Sequence, residues 1–450
     1  MQKDILLKKR VLKLIEQLRH RIIDPGLCAR HRRRAEDFSR ECRLTFPVLM
    51  MLLLQKSLKS LQARLQEMVG QLEEGMRAAS LSPGAVTHAR AKLSASAFVE
   101  LNQQAVLPTV YGPEHAELVQ RWRTHRLLGV DSSVTRLPKS PAAGEKYGWM
   151  QCRFEGALPE RYPQGRLSVL YDVLNEVALD ARLEGWAVAE KELAHQHLDC
   201  VQSGDVLLTD RGYTSYFWVL DVLARQAHLV SRCSRSSFAV AQNLFQQNRA
   251  GISVLATLRV PQELKAECRK RGWPLEVRVR FVSVRLPTGE LEVLITSLLD
   301  ETAYPTKEFA ALYWRRWGQE SYYGRLKGRM DLENCSGTTI EAIEQDFAAT
   351  ILLSNLESIA IGPAATQLAE RTAHRQQPAK INRAVSIHAL KSRLIDLLAS
   401  ALPAEQVLAQ LTQCFQDNPV SVRAGRKVER RAFSAARSYH YQRHVRKIVF

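Results

Sequence analysis

An α/β fold is predicted for this chain by three observations. The segments HRLLGVDSSVTRLP, RLSVLYDVLNEV and ALDARLEG read as three extended stretches in succession. After them a helix (AVAEKELAHQHL), a strand (DVLLTD), a helix (SYFWVLDVLARQ) and a strand (AHLVSRC) alternate. Three strands followed by alternating helix and strand describe an α/β core with an antiparallel edge. The third observation is composition: 46% hydrophobic and 24% charged residues are those of a folded globular protein, and 450 residues exceed what one core organises.

The elements follow in order. From Phe38 to about Ala105 the sequence reads as helices, with the apolar-rich PVLMMLLLQKSLKSLQARLQEMV first and LSPGAVTHARAKLSASAF second. In the second, Ser82 is a natural N-cap and Pro83 takes the first helical position, where its missing N–H is no loss. Val86, Ala89 and Leu93 repeat at three and four for a buried face, which leaves Thr87, His88, Arg90 and Lys92 outward. A short capped helix with basic and hydrogen-bonding residues outside suits a DNA major groove; an ordinary amphipathic surface helix has the same pattern. Between about 235 and 298, ISVLATLRV, LEVRVRFVSVRL and LEVLITSLL, with turns at Pro274 and from Pro287 to Gly289, read as a mostly β insertion. TKEFAALYWRRWGQESYYGRLKGRM is a long helical pattern, and another helix is expected from about Thr339 to Ala360. Residues 365 to 380, rich in Gln, Arg and Ala, read as a linker.

Charge and exclusions narrow the function. Lys and Arg number 64 against 46 Asp and Glu, a net +18. Residues 1 to 45 hold thirteen basic against six acidic side chains, and residues 420 to 450 hold nine against Glu429 alone. Two basic arms around a near-neutral middle point to a polyanion, with salt-dependent binding to nucleic acid; one basic run alone reads equally well as a solvated surface or an anionic-membrane tether. No apolar run approaches the roughly 20 residues that span a bilayer. The opening MQKDILLKKRVLKLIEQ lacks the uninterrupted apolar core of a secretory signal, so a cytoplasmic location is expected. Eight scattered cysteines without a CxxC pair are expected to be reduced thiols.

Two aspartates follow apolar runs, Asp131 within the buried strand of LLGVD and Asp210 at the end of the strand VLLTD. The carboxyl ends of strands in such sheets line the functional crevice, although an aspartate there also serves to cap a turn. Tyr313, Arg316, Glu320 and Lys327 stand at i, i+3, i+7 and i+14, within about 60° of one helical face. Trp317 lies beside them, and Leu312, Tyr323, Leu326 and Met330 form the adjacent apolar stripe. A solvated face with an Arg316–Glu320 ion pair, worth a few tenths of a kcal/mol, is the plainer alternative. Three carboxylates with an Arg and a Lys suit two Mg²⁺ about 4 Å apart, acting on a phosphodiester. His195 and His197 form an HxH whose rings project about 200° apart on a surface helix, unsuited to a shared metal. Cys152, Cys200 and Cys233 lack a catalytic histidine pattern.

The spacing Tyr-x2-Arg-x3-Glu-x6-Lys, with LLGVDSS and LLTDRGY upstream, resembles the DDE transposases of the insertion-sequence-four family. FSRECRLTFPVLMMLLLQKSLKSLQ is similar to that family's N-terminal region, and the β-rich stretch is similar to its insertion, which accounts for the 110 residues between Asp210 and Glu320. The resemblance implies a helical N-terminal DNA-binding region (1–115), a ribonuclease-H-like core in two parts (120–235 and 299–362), the insertion (236–298) and a helical, basic C-terminal region (363–450). It implies that Asp131, Asp210 and Glu320 bind the metal, Mg²⁺ with Mn²⁺ able to substitute. Tyr313, Arg316 and Lys327 would contact DNA at the transposon end. In relatives that cut through a hairpin a tryptophan directly after the signature arginine holds a flipped base, and Trp317 has that position. The expected function is cut-and-paste transposition: binding inverted-repeat ends, pairing them in a homodimer, cleaving and joining to target DNA on the bacterial chromosome. A silent end-binding repressor and a hydrolytic nuclease on the same core remain alternatives.

Overall fold

The computed structural model describes residues 2–39, 44–57, 60–71, 81–152, 160–400 and 402–422, so most of the basic C-terminal arm lies outside the described residues. The chain forms two compact units. One is built on a sheet and comprises 120–134 and 166–323; the other is mainly helical and comprises the remainder.

The strands are β1 (Leu127–Arg136), β2 (Trp149–Cys152), β3 (Glu160–Asp172), β4 (Val177–Gly185), β5 (Val206–Thr209), β6 (His228–Arg232), β7 (Ser253–Arg259), β8 (Glu276–Arg285), β9 (Leu291–Thr296), β10 (Ala379–Ile381) and β11 (Pro419–Ser421). In the sheet unit the order is β3, β1, β5, β6, β9, β8, β7, with β4 paired to β3. β1, β5 and β6 are parallel, and the helix Tyr216–Ala224, capped by the Ser215 hydroxyl, makes the crossover between β5 and β6. β9 joins β6 antiparallel, followed by β8 and β7. The strands of the 236–298 stretch therefore extend the central sheet instead of forming a separate one.

One sheet face is sealed by Leu127, Val206, Leu208, Val230, Val282 and Leu294 against Phe309, Leu312 and Tyr313 of the helix Phe309–Trp314. The helical pattern expected to run unbroken through residue 327 stops here and resumes as Trp317–Gly328. Between them Arg315 N–H donates to Leu312, Arg316 N–H to Tyr313, and Gln319 N–H to Arg316, all one residue tighter than α-helical bonding. Arg315 and Arg316 thus sit in a turn, and the angular spacing of an uninterrupted α-helix does not hold across it.

The helical unit centres on Ile340–Ala360, buried nearly all round. No single helix among the described residues is long and apolar enough to cross a bilayer; this helix with Gly362–Thr372, bent by 42°, passes such a test only as a pair. Its apolar surface is already covered within the unit. Two expectations are corrected here. The N-terminal basic stretch begins not as a loose arm but as the helix Gln2–Ile23, whose Leu7, Val11, Leu14, Leu18 and Ile22 are buried at helical spacing, while Arg40 and Arg43 lie outside the described residues. The expected linker from 365 is helical to Thr372, since Ala364, Leu368 and Thr372 recur every four residues and are buried.

Candidate active site

Strand register assembles the site. β1 and β5 pair as Leu127↔Val206 and Gly129↔Leu208, so two residues on, Asp131 and Asp210 reach the same level of neighbouring strands. Strands lie about 4.8 Å apart. β5 and β6 pair as Thr209↔Ser231, which brings Arg232 level with Asp210. Because side chains alternate, Asp131 shares a face with Leu127 and Gly129, and Asp210 with Leu208, the face that the helices cover.

Glu320 is brought in by the helix Trp317–Gly328. A Cβ on Gly129 would stand 2.2 Å from Gln319 Oε1, so the absence of a side chain is what lets the helix lie on β1 at this point. Gln319, fully buried, donates to the Val169 carbonyl at 2.7 Å, and Tyr323 Oη donates to the carbonyl of Asp131 itself at 2.6 Å. Tyr322 stacks on Tyr171 with centroids 4.2 Å apart. The three acids keep 21% (Asp131), 32% (Asp210) and 29% (Glu320) of their side chains exposed, enough for a ligand to reach.

Guanidinium groups pair with all three. Arg316, itself buried, donates from Nη2 to Glu320 at 3.1 Å and places Nη1 3.8 Å from Asp131. Its ring neighbours are Tyr313 and Trp317, at 5.7 and 5.6 Å. Arg232 Nε lies 2.7 Å from Asp210, and its Nη1 donates to Glu292 at 2.7 Å. The Asp131 carboxylate also accepts from the Ser132 N–H, and that of Asp210 from the Arg211 N–H. Burial pushes Asp131 up to about 6 against the pull of Ser132 and Arg316, with Glu320 and Asp210 adding repulsion.

The other expected residues are placed less uniformly. Trp317 is half-buried and tilted against the more exposed Trp314, 5.5 Å away. Tyr313 is buried in the core, and its hydroxyl has no hydrogen-bond partner among the described residues, so it braces Arg316 instead of meeting solvent. Lys327, in the last helical turn, is half-buried, and burial pulls its ammonium below the usual range against the charge of Glu333. In the helical unit, Ser82 caps Pro83–Arg90 as expected, and Thr87, His88 and Lys92 are exposed. Arg90 is not: it is buried, pairs with Asp346 at 2.8 Å and donates to Ser336 and Gln345. It lies four residues after Val86 and three before Leu93, so it belongs to the buried stripe. The two HxH rings diverge to different partners, His195 to Asp221 and His197 to Asp180, but His197 is fully buried and not on a free surface as expected.

A family model described as a transposase DDE domain matches residues 122–356, more than half of the 450. The chain belongs to the DDE transposase family. Within it the likeness is to the IS4 kind: transposase InsG for insertion sequence element IS4, from Escherichia coli (strain K12), is 25% identical over 287 residues. That match takes in 61% of this chain and 60% of the relative's length. Among solved structures, the cryo-EM structure of a piggyBac transposase synaptic complex with hairpin DNA aligns over 95% of this chain and 88% of its own, with a TM-score of 0.40 and 12% identity.

DDE transposase domains in general use divalent metals. The donor set of this transposase suits them, being three solvent-reachable carboxylates whose mutual repulsion a hard cation would neutralise. In the structure no three Asp, Glu, His or Cys side chains among the described residues stand close enough to hold one ion, and Arg316 pairs with both Asp131 and Glu320. Sequence reasoning missed Arg232 and Glu292, although Arg232 ends its strand just as Asp210 follows β5. It also missed Gln319, for which the lone glycine in LLGVD was the available signal.

Proposed function

We propose that this DDE transposase moves its element by cut-and-paste, binding inverted-repeat DNA ends and cleaving and rejoining them with Asp131, Asp210 and Glu320. The observation that carries the reading is the alignment of Asp131 with Asp210 on parallel strands, beneath a helix that presents Glu320 and is bonded to the Asp131 carbonyl. The order β3-β1-β5-β6 with β4 on β3, and a helical crossover between parallel strands, supports a ribonuclease-H-like core.

The three acids would hold two Mg²⁺, with Mn²⁺ able to substitute, and such ions when bound activate a water or a 3′-hydroxyl and stabilise the leaving oxygen. The chain's own groups do the rest. Arg316 and Arg232 offer planar, multiply donating guanidinium groups that match phosphate oxygens. Trp317 and Trp314 present aromatic faces next to them, suited to an unpaired base. Thr87 and His88 lie exposed on the capped helix Pro83–Arg90, Lys92 lies exposed in the turn after it, and the half-buried Lys327 stands on the Glu320 helix, all suited to DNA. Paired ends would be held by a homodimer on chromosomal DNA in the cytoplasm.

The test uses purified protein, a duplex carrying the inverted repeat that flanks its gene, and Mg²⁺. Cleavage at the 3′ side of the end followed by joining is expected, and Asp210→Asn should abolish both while leaving a salt-dependent gel shift. Cleavage by Asp210→Asn at the wild-type rate refutes the assignment. A gel shift without cleavage by the wild type indicates a silent repressor, and cleavage never followed by joining indicates a nuclease.

A further inference from the structure

A chain of buried polar groups leads to the main chain of Asp131. His197 ends the helix Glu190–His197 with no exposed surface. Its Nδ1 lies 2.8 Å from Asp180 Oδ2 on β4, and its Nε2 lies 2.9 Å from Ser168 Oγ on β3. Arg182 Nε donates to the same Asp180 oxygen at 2.9 Å. Ser168, equally buried, directs its hydroxyl at the Asp131 carbonyl, 3.4 Å away. The contacts run Ser–His–Asp as in a hydrolase, but nothing from solvent reaches Ser168, so the serine cannot attack a substrate. Groups buried this deeply are tolerated when each is hydrogen-bonded.

The Asp180 carboxylate accepts, so Nδ1 carries a hydrogen. Ser168 has one hydrogen, and two acceptors lie within its reach, the Asp131 carbonyl at 3.4 Å and His197 Nε2 at 2.9 Å, so the imidazole and the carbonyl together hold the hydroxyl between β3 and β1. Burial alone would raise Asp180, yet its hydrogen bond and charge contacts with His197, together with Arg182, hold it below the usual carboxylate range.

We propose that Asp180, His197 and Ser168 form a positioning relay that grips the main chain of Asp131 from β3, opposite the grip of Tyr323 from the helix. This rests on Asp131 being one of the essential acids. Two hydroxyls on one carbonyl fix the level at which the Asp131 carboxylate leaves the strand, and thereby its reach toward Asp210 and Glu320. Supporting shells of this kind typically change metal affinity or activity by about 10–100-fold when broken.

The experiment measures Mn²⁺ affinity of full-length protein bound to an end duplex, by electron paramagnetic resonance, with DNA affinity measured separately by gel shift. Ser168→Ala should weaken Mn²⁺ about tenfold and leave DNA affinity unchanged. If Ser168→Ala does not fold, Ser168→Cys, which fills the volume but donates weakly, should give the same result. Wild-type Mn²⁺ affinity in the folded serine variant overturns the relay. Asp131→Asn serves as the control: if it too binds Mn²⁺ like the wild type, the acid assignment fails, whereas its loss beside an unaffected serine variant removes the relay alone.

Discussion

At the level of single side chains, the ionised carboxylate of Asp131 is a state that folding disfavours. Asp131 is pushed up to about 6, above the roughly 3.9 of an unfolded aspartate. The native state therefore holds this proton more firmly than the unfolded chain, and the stability it contributes below pH ~4 is lost as pH rises through about 6. Asp131→Asn should accordingly raise the melting temperature of metal-free protein at pH 7.5, with the gain vanishing below about pH 4; thermal unfolding at the two pH values checks this. Arg316 offsets part of the repulsion by spanning Asp131 and Glu320. Replacing it with methionine frees both carboxylates, so Arg316→Met should bind Mn²⁺ more tightly than the wild type in the absence of DNA, by about tenfold, as read by calorimetry. Asp131 and Asp210 were legible because an acid directly after an apolar run is conspicuous in one dimension, although β1 continues past Asp131 to Arg136. Arg316's grip on two acids was half legible: the Glu320 contact follows from i, i+4, while the Asp131 contact joins residues distant in sequence.

At the level of elements, the helix Trp317–Gly328 and β1 form the joint that sets Glu320 against Asp131. Gly129→Ala puts a methyl group where Gln319 Oε1 now lies, and Gln319 is buried and tied to the Val169 carbonyl. The substitution should destabilise the protein by about 1–3 kcal/mol, as overpacking usually does, and reduce cleavage. Removing the obstructing side chain should recover much of that stability: Gly129→Ala with Gln319→Ala is expected to be clearly less destabilised than the sum of the single variants, by chemical denaturation in a double-mutant cycle. Helical periodicity located this element but not its interruption at Arg315 and Arg316. Nothing in YWRRWG forbids an α-helix, and no signal there marks where the tighter turn falls. Arg90 shows the reverse case, where the spacing from Val86 and Leu93 already placed it on the buried stripe and only its charge argued for an outward position.

At the level of the whole molecule, the net charge of +18 sets the terms of any encounter with DNA. Nine Lys and Arg fall beyond Val422. A chain ending at Val422 should show weaker non-specific DNA binding and a shallower dependence of log affinity on log salt, each lost phosphate contact flattening the slope by about 0.9. Gel shifts at a series of salt concentrations measure it, and an unchanged slope would mean that this arm does not touch phosphate. Seven of the thirteen N-terminal basic residues belong to the packed helix Gln2–Ile23, so removal of that helix is expected to unfold part of the helical unit, which circular dichroism would report.

By itself the sequence nominated the residues proposed for the chemistry and most of the segments that are strand or helix, because side-chain type and apolar spacing are local properties. It also determined the family, through the spacing of Tyr313, Arg316, Glu320 and Lys327. Tertiary structure alone decided which groups meet: the level of Asp131 against Asp210, the guanidinium between Asp131 and Glu320, and the buried path from Asp180 to the Asp131 carbonyl. Those contacts join residues far apart in the chain, and their geometry is set by strand register and by helix docking, which arise only when the sheet and its covering helices pack together.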